Sequence, residues 1–152
     1  SSSDEIIELA AIRIINHKIA DQLEILVKTE KGVPKVITEL TGITEEILEE
    51  KGTVLSSAME RFCEFIGQST IVGHNIAFDR SFLKEACRKT NRMNLKNSAK
   101  DTLDLARRRI DDIDDYKLHA LADYFQIKVE EEHRALSDCI TTFQVFEKLN
   151  EI

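Results

Sequence analysis

Apolar residues fill most positions between Asp4 and Ile15, with isoleucine at five of them, and the run stops at Asn16-His17-Lys18. That density of β-branched side chains predicts a largely buried strand and a turn. Leu23-Glu24-Ile25-Leu26-Val27-Lys28 is short and β-prone, so the two segments predict an antiparallel hairpin, broken at Lys31-Gly32-Val33-Pro34. In Leu40 to Leu48, Thr44 caps a short helix whose first turn carries Glu45 and Glu46, as the helix dipole prefers. Ser57-Ala58-Met59-Glu60 has capping-box spacing, and Met59, Phe62, Cys63 and Ile66 follow helical periodicity up to Gly67.

Ser69-Thr70-Ile71-Val72 reads as a strand and Gly73 as a hinge. A helix follows, with Phe78, Phe82 and Ala86 on one face up to about Thr90 and Asn75 holding the turn through local hydrogen bonds. Residues 91 to 100 are polar and basic and read as a loop, and Asp101 to Ala106 predicts a short strand passing into a helix. A charged loop spans Arg107 to Asp115, Leu118, Leu121, Ala122 and Phe125 mark an amphipathic helix, and Gln126 to Val129 leads into the acidic loop Glu130-Glu131-Glu132. The last helix starts near Arg134, with Leu136, Ile140, Phe143 and Phe146 as its apolar stripe and Asp138 off it.

The 152 residues are enough for one domain with a real core, and 42% hydrophobic and 32% charged residues with a single proline describe an ordered, soluble chain. No apolar run is long enough to span a bilayer and no secretory leader is visible, so the expected setting is the cytoplasm. Ser1-Ser2-Ser3 reads as linker or truncation. Cys63, Cys87 and Cys139 are odd in number and widely spaced, which argues for buried thiols rather than a zinc ribbon or disulfide framework. The formal charge of −7 excludes a broad basic surface that coats duplex DNA. A small phosphate-handling site survives that exclusion, because divalent cations reverse the local sign of an acidic cleft.

Candidate chemistry sits at two strand-or-loop to helix junctions. Asp79 enters the first turns of the helix after Gly73, and His133 and Asp138 flank the start of the last helix. Taken singly, each has an ordinary role: a first-turn acid supports the helix dipole, and a loop histidine is commonly solvated. Together, two carboxylates and a histidine are what metal-dependent phosphodiester hydrolysis needs, with ions about 4 Å apart and a base for the attacking water.

Five ordered motifs sharpen this: Ile6-Ile7-Glu8-Leu9-Ala10, Leu40-Thr41-Gly42-Ile43-Thr44, Gly73-His74-Asn75-Ile76-Ala77-Phe78-Asp79, Asp101-Thr102-Leu103 and His133-Arg134-Ala135-Leu136-Ser137-Asp138. In order and interval they resemble the exonuclease family of the proofreading subunit or domain of bacterial DNA polymerase III, whose site has four acids and one histidine. They resemble in particular the domain of the Gram-positive type of replicative polymerase. The resemblance implies an α/β, ribonuclease-H-like fold with a mixed β-sheet flanked by helices. It implies a 3′-to-5′ exonuclease that uses two Mg2+ or Mn2+ ions on single-stranded DNA or RNA 3′ ends, in the company of a replicative polymerase and away from membranes. It makes Asp79 and Asp138 metal-linked acids and His133 the general base. Gly73, His74, Asn75 and Phe78 then shape the terminal nucleotide, Thr41, Gly42 and Ile43 lie near its base or sugar, and Asp101-Thr102 is structural. His17 and His119 match no catalytic position.

The family's first motif, Asp-x-Glu-Thr on a strand just upstream of Ile6, has no counterpart here, and Glu8 matches the following strand rather than a metal ligand. Without that strand its neighbours would leave backbone groups unpaired in the interior, at about 1–3 kcal/mol each. The expectation is therefore one exonuclease domain over residues 1–152 whose first strand lies outside this sequence. Two alternatives belong to other classes: a catalytically inactive binding module, motivated by the absent acids, and an exonuclease that trims RNA 3′ ends.

Overall fold

Two short β-ladders and seven helices make up the part of the computed structural model that is described, residues 5–131 and 133–152. Ser1 to Asp4, read above as linker and strand start, and Glu132 of the acidic loop lie outside the described residues.

The predicted hairpin is present with shifted bounds: β1 starts inside the apolar run, and β2 starts before Leu23 and ends before Lys28. Strand β1 (Glu8–Ile15) pairs antiparallel with β2 (Lys18–Leu26), from Glu8 opposite Leu26 to Ile15 opposite Lys18. The turn residues Asn16 and His17 both have positive φ, 53° and 65°, the conformation that suits a two-residue hairpin connection. β2 begins five residues before Leu23 because its first half is an exposed strand, held by the ladder rather than by burial. Leu9 and Ile25 face inward and are buried.

Helix α1 (Lys35–Thr41), most of which the sequence reading leaves unassigned after the break, buries none of its residues and ends at Gly42 in the left-handed region. Helix α2 (Glu45–Lys51) starts as expected, the Thr44 side chain accepting from the Ile47 amide at 3.1 Å. Helix α3 (Leu55–Ile66) corrects the capping-box reading: it begins two residues before Ser57, with Val54 at the cap and no side-chain cap bond, and Ala58, Met59 and Phe62 buried. Hydrophobic packing, rather than a cap, fixes where this helix begins.

Strand β3 (Ile71–Gly73) leads into α4 (Ile76–Lys89) and pairs in parallel with β4 (Ala99–Asp101), which leads into α5 (Thr102–Arg109). Arg107 to Arg109, expected in a loop, form the last turn of α5, where positive charge suits the helix dipole. Helix α6 (Leu118–Tyr124) and the long α7 (Ala135–Asn150) complete the chain. The buried stripe of α7 is Thr141, Thr142, Val145 and Leu149, so the helix is rotated from the expected phase, and Phe143 and Phe146 line a cleft instead.

Both parallel and antiparallel pairing occur, as a mixed sheet requires, but among the described residues they form two separate two-stranded ladders, β1-β2 and β3-β4. One core centres on Leu9, Ile25, Met59 and Cys87, and a second on Ala106, Leu121, Val145 and Leu149. Helix α7 packs against β1, α5 and α6 and so ties the two halves together. Between the ladders runs a cleft of about 1240 Å3, lined by β1, β3, the starts of α4 and α7, and the aromatic side of α7. No helix among the described residues is long and apolar enough to cross a membrane.

Candidate functional site

The β3–α4 junction delivers Asp79 to the cleft. A Cβ on Gly73 would come within 2.5 Å of Ile76 Cδ1 and 3.6 Å of Asp79 Oδ2, so glycine serves here by its small size and not by a positive φ. Asn75 takes the left-handed conformation, φ 61° and ψ 57°, and its side chain makes no cap bond. The turn is held instead by Asp101, whose carboxylate accepts from the Asn75 amide at 2.8 Å and the Ile76 amide at 3.2 Å. The same carboxylate caps α5 by accepting from the Leu103 amide at 2.9 Å. One acid thereby satisfies the open amides of two helix starts.

His74 is fully engaged by the protein. Burial pushes its pKa below the ordinary histidine value, against the Tyr116 carbonyl and the Asp101 charge, which pull the other way. The neutral ring donates from Nε2 to Tyr116 O at 2.8 Å and accepts at Nδ1 from the Thr102 hydroxyl at 2.7 Å. His74 thus pins the β3–α4 turn to α5 and to the loop before α6.

At the other junction, α7 opens with Asp138 in its first turn. Asp79 keeps solvent access along α4. Desolvation of its carboxyl, then the charges of Asp101 and Asp138, push its pKa from the ordinary 3.8 up to about 6. Cys139 reads the same cluster: burial, then Asp138, Asp79 and Glu8, push its thiol up to about 12. The two candidate metal acids therefore share one electrostatic neighbourhood although they lie on different helices. His133, exposed and with φ 65°, lies in the loop just before α7 and lines the same cleft.

Thr41 donates to Ile37 O at 2.7 Å and accepts from the Ile43 amide at 3.1 Å, which closes the α1–α2 corner around Gly42, φ 78°. Thr41 and Ile43 line the cleft with Gly73, His74, Asp79, His133 and Asp138. Gly42, Asn75 and Phe78 stand outside that lining. Phe78 is 56% exposed, its ring 4.8 Å from that of Phe82. Sequence reasoning missed the Glu8 side chain, which reaches Arg134 and the Ala135 amide. Its signal was available: a lone acid flanked by Ile7 and Leu9 in a run otherwise fit for burial.

The donor chemistry suits a hard divalent cation, since Asp79 and Asp138 offer carboxylate oxygens and their mutual repulsion would be relieved by positive charge. Among the described residues, no three histidine, cysteine or acidic side chains converge closely enough to hold an ion by themselves.

Residues 1–146 match the family model described as Exonuclease, of the RNase T type. Among curated proteins, the chain is 37% identical over 154 residues to DNA polymerase III PolC-type of Caldanaerobacter subterraneus subsp. tengcongensis, covering 99% of this chain and 11% of that protein. It is 33% identical over 147 residues to DNA polymerase III PolC-type of Bacillus subtilis, covering 96% of this chain and 10% of that protein. The chain therefore spans about a tenth of the length of these relatives. Among solved structures, exonuclease X in complex with 5′-overhanging duplex DNA superposes with a TM-score of 0.78 at 23% identity, covering 99% of this chain and 86% of that one. Escherichia coli exonuclease I in complex with a dT13 oligonucleotide gives a TM-score of 0.86 at 19% identity, covering 98% of this chain and 38% of that one. Family match and shared architecture agree, and the chain belongs to the exonuclease family, with its ribonuclease-H-like fold.

Proposed function

We propose that this domain is a metal-dependent 3′-to-5′ exonuclease acting on DNA 3′ ends beside a replicative polymerase in the cytoplasm. The observation that carries the reading is the meeting of Asp79 from α4 and Asp138 from α7 in one electrostatic neighbourhood, with His133 on the same cleft. The PolC-type polymerases among the relatives and the DNA-bound exonucleases among the structural neighbours favour DNA over RNA.

In this reading Asp79 and Asp138 hold Mg2+ or Mn2+, which, when bound, stabilises charge on the scissile phosphate and lowers the pKa of the attacking water. His133 takes the proton from that water at an imidazole nitrogen. Asp101 and His74 keep the β3–α4 turn in place, so that the Asp79 carboxylate is presented to the cleft at a fixed position. Thr41 and Ile43 form the wall against the terminal nucleotide, and the exposed Phe78 offers a ring face to a base. The two acids are then part of a larger ligand set, completed by an acid-bearing extended segment seated in the cleft between β1 and β3.

Shortening of 3′-labelled single-stranded DNA and of a matched RNA by the full natural protein tests the reading. The expected result is metal-dependent loss from the 3′ end, faster on DNA, abolished by chelator and by Asp79→Asn or Asp138→Asn. His133→Ala should lower the rate on the order of 10²–10⁴-fold. Cleavage that survives chelation or both acid substitutions overturns the mechanism, and a rate at least as fast on RNA replaces the substrate. A second reading, binding without cleavage, is favoured by the incomplete ligand set among the described residues. It predicts oligonucleotide binding with no shortening at any metal concentration.

A further inference from the structure

We infer that Glu8 and Arg134 are a positioning pair that sets where His133 stands over the cleft. The inference rests on the reading of His133 as the base. Glu8 opens β1, and its side chain is only 6% exposed, against 28% for its partner Arg134. The Arg134 guanidinium donates to the Glu8 carboxylate from Nη2 at 2.9 Å, with Nε at 3.3 and 3.4 Å from its two oxygens. The Ala135 amide donates to the other oxygen, Oε1, at 3.0 Å.

This contact joins residues 126 positions apart and does two things at once. Helix α7 has Arg134 at its cap position, with no side-chain cap bond of its own, so its first amide would be open. Glu8 supplies the missing acceptor from another element, and a carboxylate there also suits the positive end of the helix dipole. The guanidinium bound to the same carboxylate then fixes residue 134 in two directions. His133 is the next residue back, in the left-handed region at φ 65°, an uncommon conformation for a non-glycine residue that the anchored neighbour on its C-terminal side helps hold. The far side of the loop is braced too, by the Glu131 amide donating to Ser137 Oγ at 3.1 Å.

Stability alone is a poor account of the pair, because taking two charges out of water consumes most of what their attraction returns. Its location supplies the better one: both residues are fixed to the backbone that carries the base, and Asp138 N–H donates to Arg134 O at 2.9 Å, so the metal acid shares the anchor. A misplacement of about 1 Å at a reacting group costs on the order of 10²-fold in rate, so a clamp at this point acts on turnover more than on substrate affinity.

The test uses two variants of the full natural protein, the near-isosteric Glu8→Gln and the charge-preserving Arg134→Lys, with kcat and KM measured on a 3′-labelled oligonucleotide. The expected result for each is a fall in kcat of roughly 10–100-fold with KM little changed. The Glu8→Gln effect should disappear in a His133→Ala background, where there is no base left to place. Amide exchange read by mass spectrometry should show peptides over residues 133–140 exchanging faster in Glu8→Gln, while peptides from α5 and α6 are unchanged. If His133→Ala alone leaves activity intact, the base reading falls and the inference with it. If His133→Ala is inactive but Glu8→Gln is not impaired, or loses the same factor with and without His133, only the positioning role falls. Faster exchange throughout the molecule would make the pair a general structural contact and overturn the inference as well.

Discussion

Asp79 concentrates the electrostatic tension of the molecule. Its pKa stands at about 6 against an ordinary 3.8, so between those values the folded chain binds more protons than the unfolded chain. Stability contributed at this position is accordingly present at low pH, falls as pH rises through that window, and is fully lost above about 6. Asp79→Asn removes the ionisation. In chelator, the variant should melt at a higher temperature than the parent at pH 7.5, with the gap closing as pH falls below about 4. Thermal melts across pH check this, and a gap independent of pH would show that repulsion at Asp79 is not its cause. Asp79, Asp138 and His133 stood out in the sequence only in combination and through the motifs that carry them, because an acid at a helix start or a histidine in a loop is ordinary by itself. Their shared environment was not, since the like charges that shift Asp79 come from residues 22 and 59 positions further on.

At the scale of elements, the β3–α4 junction was legible as strand, hinge and helix, yet its supports were not. Sequence reasoning gave the turn to Asn75, whose side chain makes no cap bond, while the Asp101 carboxylate, on the neighbouring strand, accepts from Asn75, Ile76 and Leu103. Local patterns report local bonds, and this one closes across a parallel ladder. Two substitutions separate the accounts. Asp101→Ala leaves three amides without their acceptor and should cost about 1–3 kcal/mol in urea unfolding. Asn75→Gly keeps the left-handed backbone and should change stability by less than about 1 kcal/mol. The opposite ranking would return the turn to Asn75. The same blindness to distant partners explains α7, whose aromatic stripe reads as a core face on spacing alone: Phe143 and Phe146 satisfy helical spacing equally well when they line a cleft. Helix α1 was missed because it buries none of its residues and so leaves no apolar stripe to read.

At the scale of the whole molecule, the ribonuclease-H-like class was legible because five motifs fall in order along the chain, whereas the sheet was legible only in pieces. Two ladders face each other across an apolar cleft, and the outer edges of β1 and β3, the strands that line it, have no ladder partner among the described residues. A free edge facing a protein interior leaves amides and carbonyls without partners, an arrangement that a neighbouring strand relieves along its whole length. The proposed extended segment would pair with β1 on one side and β3 on the other, merge the ladders into one mixed sheet, and carry its acids to Asp79 and Asp138. Amide exchange in the full natural protein reads this directly. In an edge strand alternate amides are bonded and the others face outward. With the segment seated, both sets in β1 should exchange slowly, at rates set by opening of the whole domain. Fast exchange confined to the outward set would leave the cleft without a strand, and the missing ligands would then have to reach Asp79 and Asp138 from the substrate or from another chain.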